Sequence, residues 1–346
     1  MTVSLLGLGC AVPPHELPQT LAEDTARALL GPRYPEFERT ASSFQASGVE
    51  TRYCVVPIDW FDHGKRWSER NAAYLAGATE LFLQAARAAL DAVGLRPDQI
   101  DTVVTVSTTG IATPSLEARA HAKMGFRQDI QRVPVFGLGC AGGVSGLALA
   151  RQLALAAPGS RVLMVAVETC SLSFRTDRMQ KADIIATVLF GDGAAAAVLS
   201  TDGGGPQMGA GHQVLWPDSL AIMGWDVDDT GLGVVFDRSI PGFVTDHFAK
   251  AADQALGAAG LTTSDIDRFV CHPGGAKVVT AIEGAMGLSK GSLDAERDTL
   301  RDFGNMSAPT VLFVLKQVLD SGAKGQMMLA ALGPGFTASF LPVSVP

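Results

Sequence analysis

Residues 89–104 read ALDAVGLRPDQIDTVV, and residues 255–270 read ALGAAGLTTSDIDRFV. Laid side by side without a gap, the two share eight of sixteen positions, and they stand 166 residues apart. Each reads as the end of a helix, a glycine suited to close it, a polar loop and then a strand. Further landmarks keep nearly the same spacing. Residues 133–136 lead through Gly137-Leu-Gly139 to Cys140, and an apolar helix runs on to about residue 157. Residues 301–304 lead to Asn305, and a second apolar helix runs to about residue 319. Strands predicted at 162–167 and 327–332 follow in register. The chain repeats itself.

Both helices are apolar nearly all round, a pattern that buries a helix on most sides. Two such helices between two sheets, related by a pseudo-twofold, satisfy the pattern. The expected fold is α/β, a duplicated sandwich with residues 1–202 as one half and 203–346 as the other. Residues 216–241 are acidic, glycine-rich and aromatic, and read as an irregular insertion beside a site or as a surface loop.

Composition narrows the function. The 346 residues carry 27 Lys and Arg against 35 Asp and Glu, a net charge of −8. Such a balance argues against nucleic-acid binding, which needs a basic surface. With 47% hydrophobic residues, the chain can bury a large core. The opening MTVSLLGLGCAVPP lacks a basic region and meets two prolines early, so it reads as strand and turn, not signal peptide. No apolar run is long enough to span a bilayer. Five cysteines without CxxC spacing fit a reducing compartment, and the expected location is cytoplasmic. No histidine or cysteine spacing suggests a metal site.

Cys140 is expected at the start of a buried helix, where free N–H groups and the helix dipole favour thiolate. Read alone, it is either an activated nucleophile or a small buried hydrophobe. His272 ends a strand predicted at 268–271, on the same sheet edge as Cys140, where functional groups gather in open α/β sheets. Asn305 mirrors Cys140 across the repeat and reads as a helix cap or as an oxyanion donor. A competing motif is Gly137-Leu-Gly139-Cys-Ala-Gly142, which satisfies G-x-G-x-x-G, with Glu168 near the place of a ribose-binding acid. It would make the protein a nicotinamide oxidoreductase. The second half has no matching glycines, which weighs against it.

With those residues in place, the sequence resembles the type III polyketide synthases, the chalcone-synthase-like branch of the thiolase superfamily. The resemblance rests on Gly139-Cys-Ala-Gly-Gly143, Leu189-Phe-Gly-Asp-Gly-Ala-Ala195, Cys271-His-Pro-Gly-Gly275, Gly304-Asn-Met-Ser307 and Gly333-Pro-Gly335. It implies a five-layer αβαβα thiolase-like fold and a homodimer. It implies that Cys140 carries the acyl chain as a thioester. His272 and Asn305 would then stabilise the enolate formed as malonyl-CoA loses CO₂, with no metal or redox cofactor. Phe190 matches the family's gate between the CoA tunnel and the cavity, and a second gate position falls on Val234. Thr108, Thr113, Ser173 and Gly335 fall at substrate-lining positions, and Arg52 resembles a CoA-contacting arginine. Cys170-Ser-Leu-Ser-Phe-Arg175 and Met223-Gly-Trp-Asp-Val227 resemble bacterial alkylpyrone and alkylresorcinol synthases. The expectation is a long-chain acyl-CoA starter extended by malonyl-CoA and closed to an alkylpyrone or alkylresorcinol. A condensing enzyme fed by acyl carrier protein, and a catalytically silent synthase partner, are the alternatives.

Overall fold

The computed structural model describes every residue except Arg33, Pro35, Glu36 and Met179. Two helices buried over most of their length, Gly142–Ala156 and Thr310–Asp320, occupy the middle of the molecule and reach solvent only toward their C-terminal ends, as at Gln152 and the Lys316–Asp320 pair. Strand side chains alternate between faces, and the alternation assigns each to a layer. Val104, Val106, Met164, Ala195 and Ala197 face the central helices. Val103, Leu163, Val165, Ala194 and Ala196 face outward, onto helices Trp67–Asp91 and Leu116–Met124. In the second half Val270, Met327, Leu329 and Ala331 face the centre. Phe269, Cys271, Met328 and Ala330 face helices Ile240–Ala258 and Ala276–Ala285. The layers run helix, sheet, helix, sheet, helix. This is a thiolase-like α/β fold.

The repeat is visible in detail. Gly94 and Gly260 close their helices at φ 63° and 71°. Short helical turns follow at Pro97–Gln99 and Thr263–Asp265, and then the strands Thr102–Val106 and Arg268–Cys271. Each turn is closed by the same device. The Arg96 N–H donates to Gln99 Oε1 at 2.9 Å, and the Thr262 N–H to Asp265 Oδ2 at 2.8 Å.

Two features differ from the sequence reading. The sheets of the two halves are not separate. A two-residue strand, Gln207–Met208, pairs with Val3 and Ser4 on one side and with Val343 and Ser344 on the other. It joins them into one ten-stranded sheet, because the chain crosses between halves at that point. Residues 216–241 are also more regular than expected. They contain an antiparallel hairpin, Met223–Asp228 with Gly231–Phe236, which pairs with no strand of the main sheet. Among the described residues no helix is long and apolar enough to cross a membrane.

The central helices meet where side chains are smallest. A Cβ on Gly143 would collide with the Ala308 carbonyl oxygen and stand 2.7 Å from Val311 Cγ1. Gly143→Ala is therefore expected to cost about 1–3 kcal/mol through overpacking. Gly257→Ala, on an exposed helix face with open space around it, should be neutral or mildly stabilising. Urea unfolding midpoints of the two variants check the contrast.

Candidate active site

Cys140 sits in the short helical turn Gly139–Ala141, which runs directly into Gly142–Ala156. Gly139 holds φ at 47°, and a Cβ there would lie 2.6 Å from Pro334 Cδ, so both conformation and space require glycine. The turn is fastened from below. Gly139 N–H donates to Thr108 Oγ1 at 3.2 Å. Glu168 Oε2 accepts the Thr108 N–H at 2.9 Å, the Thr109 N–H at 3.0 Å and the Thr109 hydroxyl at 2.8 Å. Of the G-x-G-x-x-G glycines, Gly139 and Gly142 serve packing, since a Cβ on Gly142 would stand 2.6 Å from Val106 Cγ1, and Gly137 serves a left-handed turn at φ 92°. Glu168 is wholly buried and occupied by the threonines. This geometry contradicts the nicotinamide reading: the loop offers no phosphate cradle and the acid cannot meet a ribose.

His272 follows the strand Arg268–Cys271, and its N–H donates to Ala330 O at 2.8 Å. Asn305 comes from the same half of the chain as His272, and Cys140 from the other. Its Oδ1 accepts the Ser307 N–H at 2.8 Å, which fixes the amide orientation, and Nδ2 donates to Gly274 O at 3.2 Å. Asn305 also pairs by backbone with the Phe190 segment. Its N–H donates to Leu189 O at 2.8 Å, and Gly191 N–H donates to its carbonyl at 3.1 Å. The motifs around Phe190 and Asn305 thus interlock, with Gly191 under Phe303 O and Gly304 under Leu189 O.

Cys140, His272 and Asn305 line one cavity, whose other walls are mostly apolar and include Met223, Phe236 and Leu332. A second, mainly apolar cavity is lined by Leu17, Ala26, Ile58, Phe61, Phe174 and Phe190, together with Ser173. Phe190 and Phe236 are in contact, ring centroids 6.2 Å apart, and form the partition between the two spaces. Leu17, Cys54 and Ile58 also line an outward groove, so the second cavity abuts the surface.

Burial governs the electrostatics. It pushes the Cys140 thiol up to about 11; the Ser307 hydroxyl, hydrogen-bonded to the sulfur, opposes this, and the Glu168 charge adds to it. The helix start does not yield a resting thiolate, because desolvation outweighs the dipole. Burial also lowers His272 to about 3, so the imidazole is neutral at physiological pH. Neither ring nitrogen has a hydrogen-bond partner. An unmade bond on a buried polar group costs about 1–3 kcal/mol, which a polar ligand in the cavity can recover. Burial likewise raises Glu168 to about 7.

The remaining expected residues divide. Phe190 and Ser173 line the apolar cavity, and Val234 packs with Phe190, Cys170 and Ala186. Thr108 braces the Cys140 turn and lines neither cavity. Thr113 is exposed on its loop. Gly335 turns the chain before Thr337–Val345, its carbonyl accepting the Ser219 hydroxyl at 2.7 Å, while neighbouring Pro334 meets Gly139. Arg52 is a correction. It is 2% exposed, and its guanidinium donates to Thr187 O at 2.6 Å, to Phe190 O at 3.1 Å and to Gln19 Oε1. It anchors the Phe190 segment from inside and lines the second cavity beside Phe190, away from the outer surface.

Sequence reasoning missed Ser307, Phe236 and Trp225. Ser307 lay inside a quoted motif, two residues after Asn305, and the aromatics lay in the stretch read as irregular. Among the described residues no group of three or more His, Cys, Asp or Glu is arranged to hold a metal ion.

A thiol, an imidazole and an amide converging from two repeats, beside an apolar cavity, define a condensing enzyme that works on acyl thioesters. The chain belongs to the chalcone and stilbene synthases: the family's N-terminal domain matches residues 2–203 and its C-terminal domain residues 207–343. A 1,3,6,8-tetrahydroxynaphthalene synthase of Streptomyces peucetius subsp. caesius is 38% identical, over 98% of this chain and 92% of its own. A putative chalcone synthase of Bacillus subtilis (strain 168) is 35% identical over 97% of each chain. The crystal structure of 1,3,6,8-tetrahydroxynaphthalene synthase from Streptomyces coelicolor A3(2), a bacterial type III polyketide synthase, superposes with a TM-score of 0.93. It is 28% identical and covers 99% of both chains. This protein is a type III polyketide synthase, an acyltransferase-type condensing enzyme.

The raised thiol pKa can be read directly. Alkylation of Cys140 by iodoacetamide, followed by peptide mass spectrometry, should keep accelerating from about pH 6 to about pH 10. A preformed thiolate would plateau near neutrality. Glu168→Gln removes a charge that raises the thiol, so it should speed labelling at a given pH above neutrality.

Proposed function

We propose that Cys140, His272 and Asn305 catalyse decarboxylative condensation of malonyl-CoA onto a long-chain acyl-CoA starter, without a metal or redox cofactor. The observation that carries this reading is the pair of spaces on either side of Phe190 and Phe236. One holds the polar triad, and the other is largely apolar and abuts the surface. Burying an alkyl tail there gains about 0.8 kcal/mol per CH₂.

The chemistry follows from the neutral resting state. Cys140 Sγ attacks the starter carbonyl while its proton passes to the unpartnered His272 imidazole, and CoA leaves with that proton. Malonyl-CoA then places its thioester carbonyl against the His272 and Asn305 N–H groups. Loss of CO₂ leaves an enolate whose oxygen those donors hold. The enolate carbon attacks the Cys140 thioester, forming a C–C bond and releasing the cysteine sulfur as thiolate. Repetition followed by lactonisation or aldol closure gives an alkylpyrone or an alkylresorcinol.

A second reading, a polyhydroxylated aromatic without an alkyl tail, draws support from the 38% identity to a tetrahydroxynaphthalene synthase. It gives the apolar cavity no occupant. We also propose that the enzyme acts as a homodimer. The edge strand Gln131–Val135 has no second neighbour, and exposed Phe136 and Ile111 lie at nearby strand ends.

Product mass spectrometry with malonyl-CoA and a ladder of acyl-CoA starters tests the reading. Long starters should give pyrones or resorcinols that vanish in Cys140→Ala, and Asn305→Ala should lower kcat by about 10²–10³. Products from malonyl-CoA alone, with all starters ignored, would select the second reading. Condensation only with carrier-protein thioesters would replace the CoA-dependent reading.

A further inference from the structure

The hairpin Met223–Asp228 and Gly231–Phe236 has no backbone tie to the main sheet, yet one of its faces bounds several spaces. Cross-strand pairing puts Met223 with Phe236, Trp225 with Val234, and Val227 with Leu232. Met223 and Phe236 line the Cys140 cavity. Trp225 and Leu232 line a small cavity shared with Ser173, and Trp225 meets Phe190 with centroids 6.3 Å apart. Val234 packs on Phe190. The position of this ribbon therefore sets the width of the space around the gate.

Its other face carries Asp226 and Asp228, and two arginines of the preceding loop hold them. Arg175, with its side chain 3% exposed, donates from Nη1 to both oxygens of Asp228 at 2.9 Å. Asp177 engages the rest of that guanidinium at 3.1 and 2.5 Å. Asp228 Oδ1 also closes the hairpin turn, accepting the Thr230 and Gly231 N–H groups at 2.8 and 3.1 Å. Arg178 lies across Gly233, whose missing side chain makes room, and donates to Asp226 at 2.9 Å. The loop is itself fixed to helix Trp67–Asp91, where Arg70 donates to Leu172 O at 2.7 Å and Phe174 O at 2.5 Å. A continuous path of charge-assisted bonds runs from a rigid helix to the tip of the ribbon.

We propose that Arg175 and Asp228 are positioning residues that fix the hairpin wall and so set the length of acyl chain the enzyme accepts. Neither side chain lines the Cys140 cavity, and their effect passes through Trp225, Val234 and Phe236. Releasing the clasp lets the ribbon move away from Phe190 and relaxes the limit. The proposal rests on the acyl-CoA reading of the site.

Asp228→Asn preserves the acceptor for the turn N–H groups and weakens the ion pair, while Arg175→Lys keeps the charge and loses the two-point grip. Both variants should raise kcat/KM for the longest starters relative to the shortest by about tenfold, mainly through KM. The kcat for short starters and the thermal midpoint should stay near wild type. The Trp225 emission, isolated by subtracting Trp225→Phe, should shift to the red in Asp228→Asn as the ring gains water. Equal losses for all starters, or an unchanged starter ratio, would overturn the proposal. An unchanged Trp225 emission would do so even without turnover. A wild-type enzyme that extends no acyl-CoA starter would instead reject the acyl-CoA reading of the site, and the emission measurement would then decide the clasp alone.

Discussion

The near-contact between Gly143 and the Ala308 carbonyl lets two helices pass without side chains between them. Close packing tolerates no extra methyl at such a crossing. Cys140, directly before the first helix, and Asn305, in the segment that leads to the second helix at Thr310, are delivered to one cavity from opposite halves of the chain. His272 arrives at the same place because its strand ends on that edge. Site geometry is thus a by-product of how the duplicated halves pack. Gly142, the last glycine of the stretch that resembled a nucleotide-binding loop, packs beside the same crossing, where a Cβ would stand 3.2 Å from the Ala308 side chain.

The site is built from neutral groups. A thiol raised by burial, an imidazole lowered by burial and an amide incapable of charge share a space with little water-like character. None of the three carries a charge at rest, and groups fixed in this way can hold a developing charge at little reorganisation cost. Glu168, the nearby carboxylate, is raised to about 7 and tied to three donors. Its ionic influence on the sulfur is blunted by the hydrogen bonds that also make it a brace.

Much of this was legible from residues 89–104 and 255–270, because a repeat constrains topology twice. The strand at 268–271, the central helices and the triad follow from periodicity and offset. What was not legible depended on burial. Arg52 reads as a surface charge by type, and only tertiary packing makes it an interior anchor. The helix-start argument for Cys140 was sound locally and reversed by desolvation, a property of the whole cavity. The hairpin escaped because Gly224, Gly231 and Gly233 interrupt its alternation, although each has a place in the ribbon's register. Bridging of the two sheets by Gln207–Met208 leaves no pattern in so short a segment.

Asn305 exchanges backbone hydrogen bonds with Leu189 and Gly191, on either side of Phe190, and Arg52 grips the same segment from behind. The Phe190 segment and Asn305 are therefore held to one another by main-chain bonds. A loop insertion that moved Phe190 would displace Asn305 with it. Side-chain exchange at Phe190, or on the separately mounted hairpin opposite, alters the walls there without moving Asn305.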